Sequence, residues 1–146
     1  MPVCQTAQFD LTIPEGWEDR SMITWVAPPS KRYKVLPNVL VSKSRMLPAE
    51  DLSGFVNRQL KELMAKVPTF DLLRRGDTLL NGNPAIELSF TMRPQGVTLM
   101  QKQLFFIPPG DPRTVHTVVA TSAKDDWSVL DADFSRIFQS LSMKLG

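Results

Sequence analysis

Residues 79–107 read LLNGNPAIELSFTMRPQGVTLMQKQLFFI, and two turns divide them. Asn81-Gly82 is the strongest short signal for a two-residue hairpin, because both central positions of a type I′ turn need positive φ. Pro94-Gln95-Gly96 marks a second turn. Between them, Ala85 to Arg93 alternates, with Ile86, Leu88, Phe90 and Met92 on the apolar side. Val97 to Ile107 follows. It carries Val97, Leu99, Gln101, Gln103, Phe105 and Ile107 on one face and Met100, Leu104 and Phe106 on the other. Connections this short cannot make parallel crossovers, so these strands are antiparallel.

Outward from this stretch, Phe70 to Leu80 reads as the strand before the hairpin. Pro108-Pro109-Gly110-Asp111-Pro112 ends the last strand, and Arg113 to Thr121 forms another. Asp125 or Asp126 is placed to cap a final helix, whose Trp127, Leu130, Phe134, Ile137, Phe138 and Leu141 recur at helical spacing. Upstream, Leu52, Phe55, Val56, Leu60, Leu63, Met64 and Val67 line one broad helix face. Pro48 suits the first turn of that helix, Glu50 and Asp51 suit the positive end of its dipole, and Pro68 ends it. Near the start, Gln8 to Ile13 alternates as a half-buried strand with Phe9, Leu11 and Ile13 on one side. Ser21 to Val26 and Val39-Leu40-Val41 supply two more strands, separated by the polar loop Ser30 to Lys34. The order is strands, helix, strands, helix. It predicts an α+β fold, a mainly antiparallel sheet of about seven strands with two main helices packed on it.

The chain has 146 residues, 42% hydrophobic and 22% charged, and no repeat or compositional break, so it is expected to form one domain over residues 1–146. A chain of this length buries roughly two-thirds of its unfolded surface and needs no metal or disulfide staple. Cys4 alone makes neither a disulfide nor a zinc site. The formal net charge of +2 is too balanced for a nucleic-acid binder. No apolar run approaches the roughly 20 residues of a membrane span. Met1-Pro2-Val3-Cys4-Gln5 carries no signal-peptide pattern, so the expected location is the cytoplasm.

Chemistry is hard to find. His116 is the one histidine, set in the strand Thr114 to Val118 without a nucleophile motif or metal-ligand spacing nearby. Asp131 and Asp133 lie on different helix faces, and the basic clusters Arg74-Arg75 and Lys31-Arg32-Tyr33-Lys34 read as solvated charge. The expectation is a non-enzyme with no cofactor and no metal. A surplus of apolar surface stands out instead, since Val97 to Ile107, Val39-Leu40-Val41 and Met22-Ile23 are apolar on both faces. That pattern fits a central strand covered by two layers. It also fits a bare face that binds something apolar or a second subunit. Gln101 and Gln103, set among apolar neighbours, lean toward the latter.

The segments Phe9-Asp10-Leu11-Thr12-Ile13-Pro14-Glu15-Gly16-Trp17, Phe55-Val56-Asn57-Arg58-Gln59-Leu60, Val67-Pro68-Thr69-Phe70 and Leu99-Met100-Gln101-Lys102-Gln103-Leu104-Phe105 carry a resemblance. In order and spacing the chain resembles the effector-associated (Eag) chaperones of bacterial type VI secretion systems, whose fold is Mog1/PsbP-like. The resemblance implies a cytosolic, non-enzymatic homodimer. Such a protein shields the N-terminal hydrophobic transmembrane segments of a PAAR- or Rhs-type effector and aids its loading on the secretion spike, without inserting into membrane itself. By motif position it also implies a client groove. Its residues would be Met22 and Thr24 on one strand, Leu40 and Ser42 on the next, Gln59, Leu63 and Val67 on the helix, and Leu99, Gln101 and Gln103 after the Pro-Gly turn. Leu63 and Val67 are equally readable as plain core, and Gln59 as a solvated neighbour of the apolar stripe. The alternative reading is a non-catalytic ligand- or protein-docking module of the same fold.

Overall fold

Asn81 and Gly82 take φ of 50° and 84°, the paired left-handed conformation of a type I′ turn. They join β5 (Asp71–Leu80) to β6 (Asn83–Met92) as the hairpin signal predicts. The computed structural model describes residues 3–5 and 10–142. The other strands are β1 (Val3–Gln5), β2 (Asp10–Thr12), β3 (Met22–Val26), β4 (Asn38–Arg45), β7 (Leu99–Phe106) and β8 (Thr114–Ala123). The helices are α1 (Leu52–Lys66) and α2 (Trp127–Ser140). The strands divide into a 6-stranded antiparallel sheet, ordered β3-β4-β8-β7-β6-β5, and the β1-β2 pair. The fold is α+β, with a main antiparallel sheet and two main helices, as expected.

Each strand's alternation sets what lies on the two sides of the sheet. Leu104 and Phe106 of β7, Val118 and Ala120 of β8, and Val39 of β4 pack with Leu130, Phe134 and Phe138 of α2. On the other side, Phe105, Ile86, Leu88, Phe90 and Val115 pack with Phe55 and Val56 of α1. The helices therefore cover opposite faces, and β7 needs apolar residues on both. Its last residues, Leu104 to Phe106, are buried, whereas Leu99 to Gln103 stay half-buried. The covered-strand reading holds for one half of β7, and the other half is open.

Three local expectations are corrected. Helix α1 starts at Leu52, with Asp51 as its N-cap accepting the Gly54 N–H at 2.7 Å, so Pro48 lies in the preceding turn. Glu50 holds that turn: it accepts the Leu47 N–H at 3.2 Å and takes a two-pronged grip from Arg58 at 3.0 and 2.9 Å. Bonding to Arg58 keeps its carboxyl below the usual range against the opposing effect of desolvation. At the second helix, neither Asp125 nor Asp126 caps through its side chain, because β8 runs through the 3₁₀ turn Lys124–Asp126 directly into α2. Leu11 of β2, expected on the covered side of a half-buried strand, is exposed at 49%, while Gln8 and Phe9 lie outside the described residues. Pro68 ends α1 as expected, with Val67 as its C-cap.

The segment before β3 is tied to the sheet by Asp19, which pairs with Lys43 of β4 at 2.5 Å. Burial works to raise this carboxyl, but Lys43 and Ser21 outweigh it and hold it at about 2. A depressed carboxylate stabilises the fold above its unfolded pKa and loses that contribution as pH falls through the folded one. Asp19→Asn should therefore lower the melting temperature at neutral pH, with the difference from wild type vanishing between about pH 4 and pH 2. Asp51→Ala should cost about 0.5–2 kcal/mol in urea unfolding, the usual loss for an N-cap.

Candidate binding face of the sheet

The register aligns residues in rows across the sheet, exposed on β3, half-buried on β4 and buried under α1 on β6, with Thr117 and Thr121 of β8 buried as well. Thr24, Leu40, Val119, Gln103 and Leu88 are successive cross-strand partners from β3 to β6. A second row is Met22, Ser42, Thr117, Phe105 and Ile86, and a third is Val26, Asn38, Thr121, Gln101 and Phe90. Directly paired residues share a face, so these rows form one surface, the one α1 packs on. Helix α1 lies over β6 and β7, and β8, β4 and β3 extend beyond it as an open floor.

Every residue named from the resemblance on a strand, namely Met22, Thr24, Leu40, Ser42, Leu99, Gln101 and Gln103, lies on this face. Leu99 sits at its end, paired with Ala123 and Met92. The helix residues divide. Arg75 of β5 bonds Ser53 at 3.1 Å and also Asn57, so those two mark the flank of α1 toward the β5 edge. At about 100° per residue, Gln59 falls between the core residues Phe55 and Leu63, on the side turned away from that edge, and it is half-buried. Leu63 packs against the buried core, and Val67 caps the helix, its N–H donating to Leu63 at 2.9 Å. For Leu63 the plain-core reading fits the geometry.

The floor's chemistry is mixed but uncharged. Leu40, Val119 and Met22 alternate with Thr24, Ser42, Thr117, Thr121, Asn38 and the two glutamines. Gln103 donates from Nε2 to Gln101 Oε1 at 3.3 Å, which leaves the Gln101 amide donors and the Gln103 oxygen for another partner. The basic side chains of these strands, Lys43, Arg45, Lys102 and His116, all alternate onto the α2 face. There Glu87 is clasped by Arg74 at 2.9 Å and Lys102 at 3.0 Å. His116 is half-buried, its ring 5.6 Å from that of Phe106. Burial and then Lys43 push its pKa down, against Asp111 and Asp19. Among the described residues no group of three His, Cys, Asp or Glu is placed to hold a metal.

Thr117, Val119, Thr121, Asn38 and Val26 belong to this floor but are missed by the sequence reading. Alternation along β8 shows that Thr117, Val119 and Thr121 share a side. Only the strand order, with β8 between β4 and β7, shows that they lie between the predicted residues.

Fold and face together place the chain among small α+β proteins built on one six-stranded sheet, and the DcrB family profile matches residues 9–140. The chain belongs to the DcrB family. Among characterised proteins it is similar to effector EagT6 of Pseudomonas aeruginosa, 26% identical over 125 residues that cover 86% of this chain and 85% of that one. The Pseudomonas aeruginosa protein PA94, described as of unknown function, superposes with a TM-score of 0.85 at 23% identity, covering 100% of this chain and 99% of that one. Cyanobacterial PsbP from Synechocystis gives a TM-score of 0.57 at 13% identity over 92% of this chain and 86% of its own. LpqN of Mycobacterium tuberculosis, described as involved in cell envelope biogenesis, gives 0.59 at 16% over 87% and 85%. The PsbP-like fold expected from the sequence is the fold found.

If this floor is surface rather than core, Gln59→Ala and Ser42→Ala should each shift stability by less than about 1 kcal/mol. Phe105→Ala, on the same face but under α1, should cost about 3–5 kcal/mol. Equilibrium unfolding of the three variants checks the contrast.

Proposed function

We propose that the protein is a cytosolic, non-catalytic chaperone that shields the N-terminal transmembrane segments of a PAAR- or Rhs-type secretion effector, with the open floor beside α1 as its client site. The observation that carries this reading is the floor itself, a charge-free surface of aliphatic residues interspersed with hydroxyls and amides. An apolar helix gains about 25 cal/mol for each Å² it buries there. Hydroxyl and amide groups satisfy the backbone groups that such a helix exposes at its ends or at small residues. The similarity to effector EagT6 supports the choice of an effector as client. On this reading Met22, Thr24, Leu40, Ser42, Gln59, Leu99, Gln101 and Gln103 contact the client, with Leu63 and Val67 supporting the helix wall. The working form is a homodimer, and light scattering coupled to size exclusion should give about twice 16.4 kDa. His116, packed edge-on against Phe106 and kept neutral by burial, has a structural part in this scheme.

Leu40→Arg tests the site. A charge set under a docked apolar helix costs several kcal/mol unless it is paired, so recovery of the co-expressed effector N-terminal region should fall at least tenfold. Leu40 is only half-buried, and the variant's melting curve should stay close to wild type. Gln103→Ala should weaken capture by about 0.5–1.5 kcal/mol, one hydrogen bond's net worth. Undiminished capture by folded Leu40→Arg would remove this face from consideration, and a folded wild type that captures no effector segment would favour a general docking module.

A further inference from the structure

Alternation places Trp25 of β3 and its partner Val39 of β4 on the side of the sheet that α2 covers, and Val41 with them. Helix α2 seats Leu130, Phe134 and Phe138 on Val39, Val118 and Ala120, while Trp25 stays 59% exposed beside it. Between helix and strand lies an apolar trough of about 770 Å³. Its floor is Val39, Val41 and Val118, one wall is Phe134 and Ile137 of α2, and the other is Trp25. Val39, Val118 and Phe134 are buried, so the trough reaches down to the core of the domain. Sites for small ligands enclose about 300–1,000 Å³ and combine an apolar lining with a few placed polar groups.

The charged groups of this trough stand at its mouth. They are Asp133 and Arg136 of α2, both exposed, with Arg136 Nη1 donating to Asp133 Oδ1 at 3.1 Å. Ser140 spends its hydroxyl proton on the Ile137 carbonyl at 2.8 Å. Among the described residues the Nε and Nη2 groups of Arg136 bond to nothing, and that edge is the one that grips a carboxylate with two parallel bonds. Asp133 opposes an incoming anion, but an exposed pair of this kind is weak, and Arg136 exchanges it at little cost. The loop that leaves the trough at Ala27 and returns at Pro37 adds Lys31 and Arg32, which have no acidic partner among the described residues. Lys34 is neutralised by Asp125 at 3.1 Å, and Tyr33 packs on the core beneath α2, which brings the loop to this side of the sheet. Donors and positive charge are thus what the mouth has to offer.

We propose that this trough binds a single-chain carboxylate amphiphile, its hydrocarbon on the valine floor and its carboxylate on Arg136. The site lies on the face opposite the client floor and does not depend on the chaperone reading. The apolar lining supplies affinity in proportion to chain length, and Arg136 selects the charged head.

Isothermal titration of the full chain with decanoate below its micelle concentration, and with decanol as the uncharged counterpart, tests the site. Decanoate should bind with one molecule per chain and about tenfold more tightly than decanol, as a charge-assisted bond allows. Octanoate should bind roughly tenfold more weakly than decanoate for the two methylenes lost. Arg136→Gln should erase the preference over decanol, and Asp133→Asn should enlarge it. Ile137→Trp fills the trough and should weaken both ligands roughly tenfold or more, with a cooperative melt and unchanged recovery of the co-expressed effector segment. Should Ile137→Trp fail to fold, the indole N–H resonances decide: decanoate should move that of Trp25 and leave that of Trp17 in place. A folded wild type that does not bind decanoate, or binds it no better than decanol, overturns the proposal, as does undiminished binding by folded Ile137→Trp. Decanoate affinity that falls as protein concentration rises would give the trough to a second copy, and lost effector recovery in folded Ile137→Trp would give it to a polypeptide. Either result removes the amphiphile. The titration uses the protein alone, so its failure leaves the chaperone reading to be judged by Leu40→Arg.

Discussion

A helix about 10 Å across covers about two strands spaced 4.8 Å apart, and this sheet has six strands with one helix on each face. The rest of the structure follows from that mismatch. Any face with one helix leaves strands bare, and the bare strands must carry side chains that tolerate water without being polar enough to defeat binding. On the α2 side this is met partly with charge, through the Glu87 pair of ion bridges, Lys43 with Asp19, and half-buried His116, while Ile23 and Trp25 of β3 stay apolar and exposed. On the α1 side it is met with threonine, serine, asparagine and glutamine set among Leu40, Val119 and Met22. The two faces are the same strands read at alternate residues, which is how one sheet keeps its ionic groups on one side and leaves the other neutral.

The helix that leaves the floor bare is also fixed at its base. Arg58 on Glu50, Asp51 on the Gly54 N–H and Arg113 on the Glu50 carbonyl at 3.1 Å hold the start of α1 to the end of β8's approach. Phe55 meets Phe105 edge-on at 6.2 Å between ring centres, so the helix is seated on β7 by a fully buried aromatic pair. The wall of the proposed groove is therefore rigid, and Gln59 is presented from a packed element rather than from a loop.

Much of this was legible in the residues. Asn81-Gly82 announced the β5–β6 hairpin through its backbone requirement, and Phe55, Val56 and Leu60 announced α1 through spacing. Parity along a strand correctly grouped Leu99, Gln101 and Gln103, because period two needs no knowledge of neighbours. What parity cannot supply is which strands lie side by side. The insertion of β8 between β4 and β7 joins elements distant in sequence, so Thr117 and Val119 could not be assigned to the floor, nor the helices to opposite faces. Asp126 looked like a cap by type and position. Direct passage from β8 into a 3₁₀ turn gave its side chain no helix N–H to accept, and its Oδ2 is left buried without a partner.

Strand order also bears on how the sheet is assembled. β5 to β8 form a meander closed by short turns, whereas β4 meets β8 only after the chain has run through α1 and the whole meander, Asn38 pairing with Thr121. Such non-local pairing carries the larger loop-closure cost and is repaid last. β3 depends in turn on β4 alone. The bare margin is thus the part of the sheet that opens most cheaply, and its amides should exchange faster than those of β6 and β7. Anything docked there would tighten the margin it rests on, so occupancy would be recorded as slowed exchange in β3 and β4, far from the packed centre.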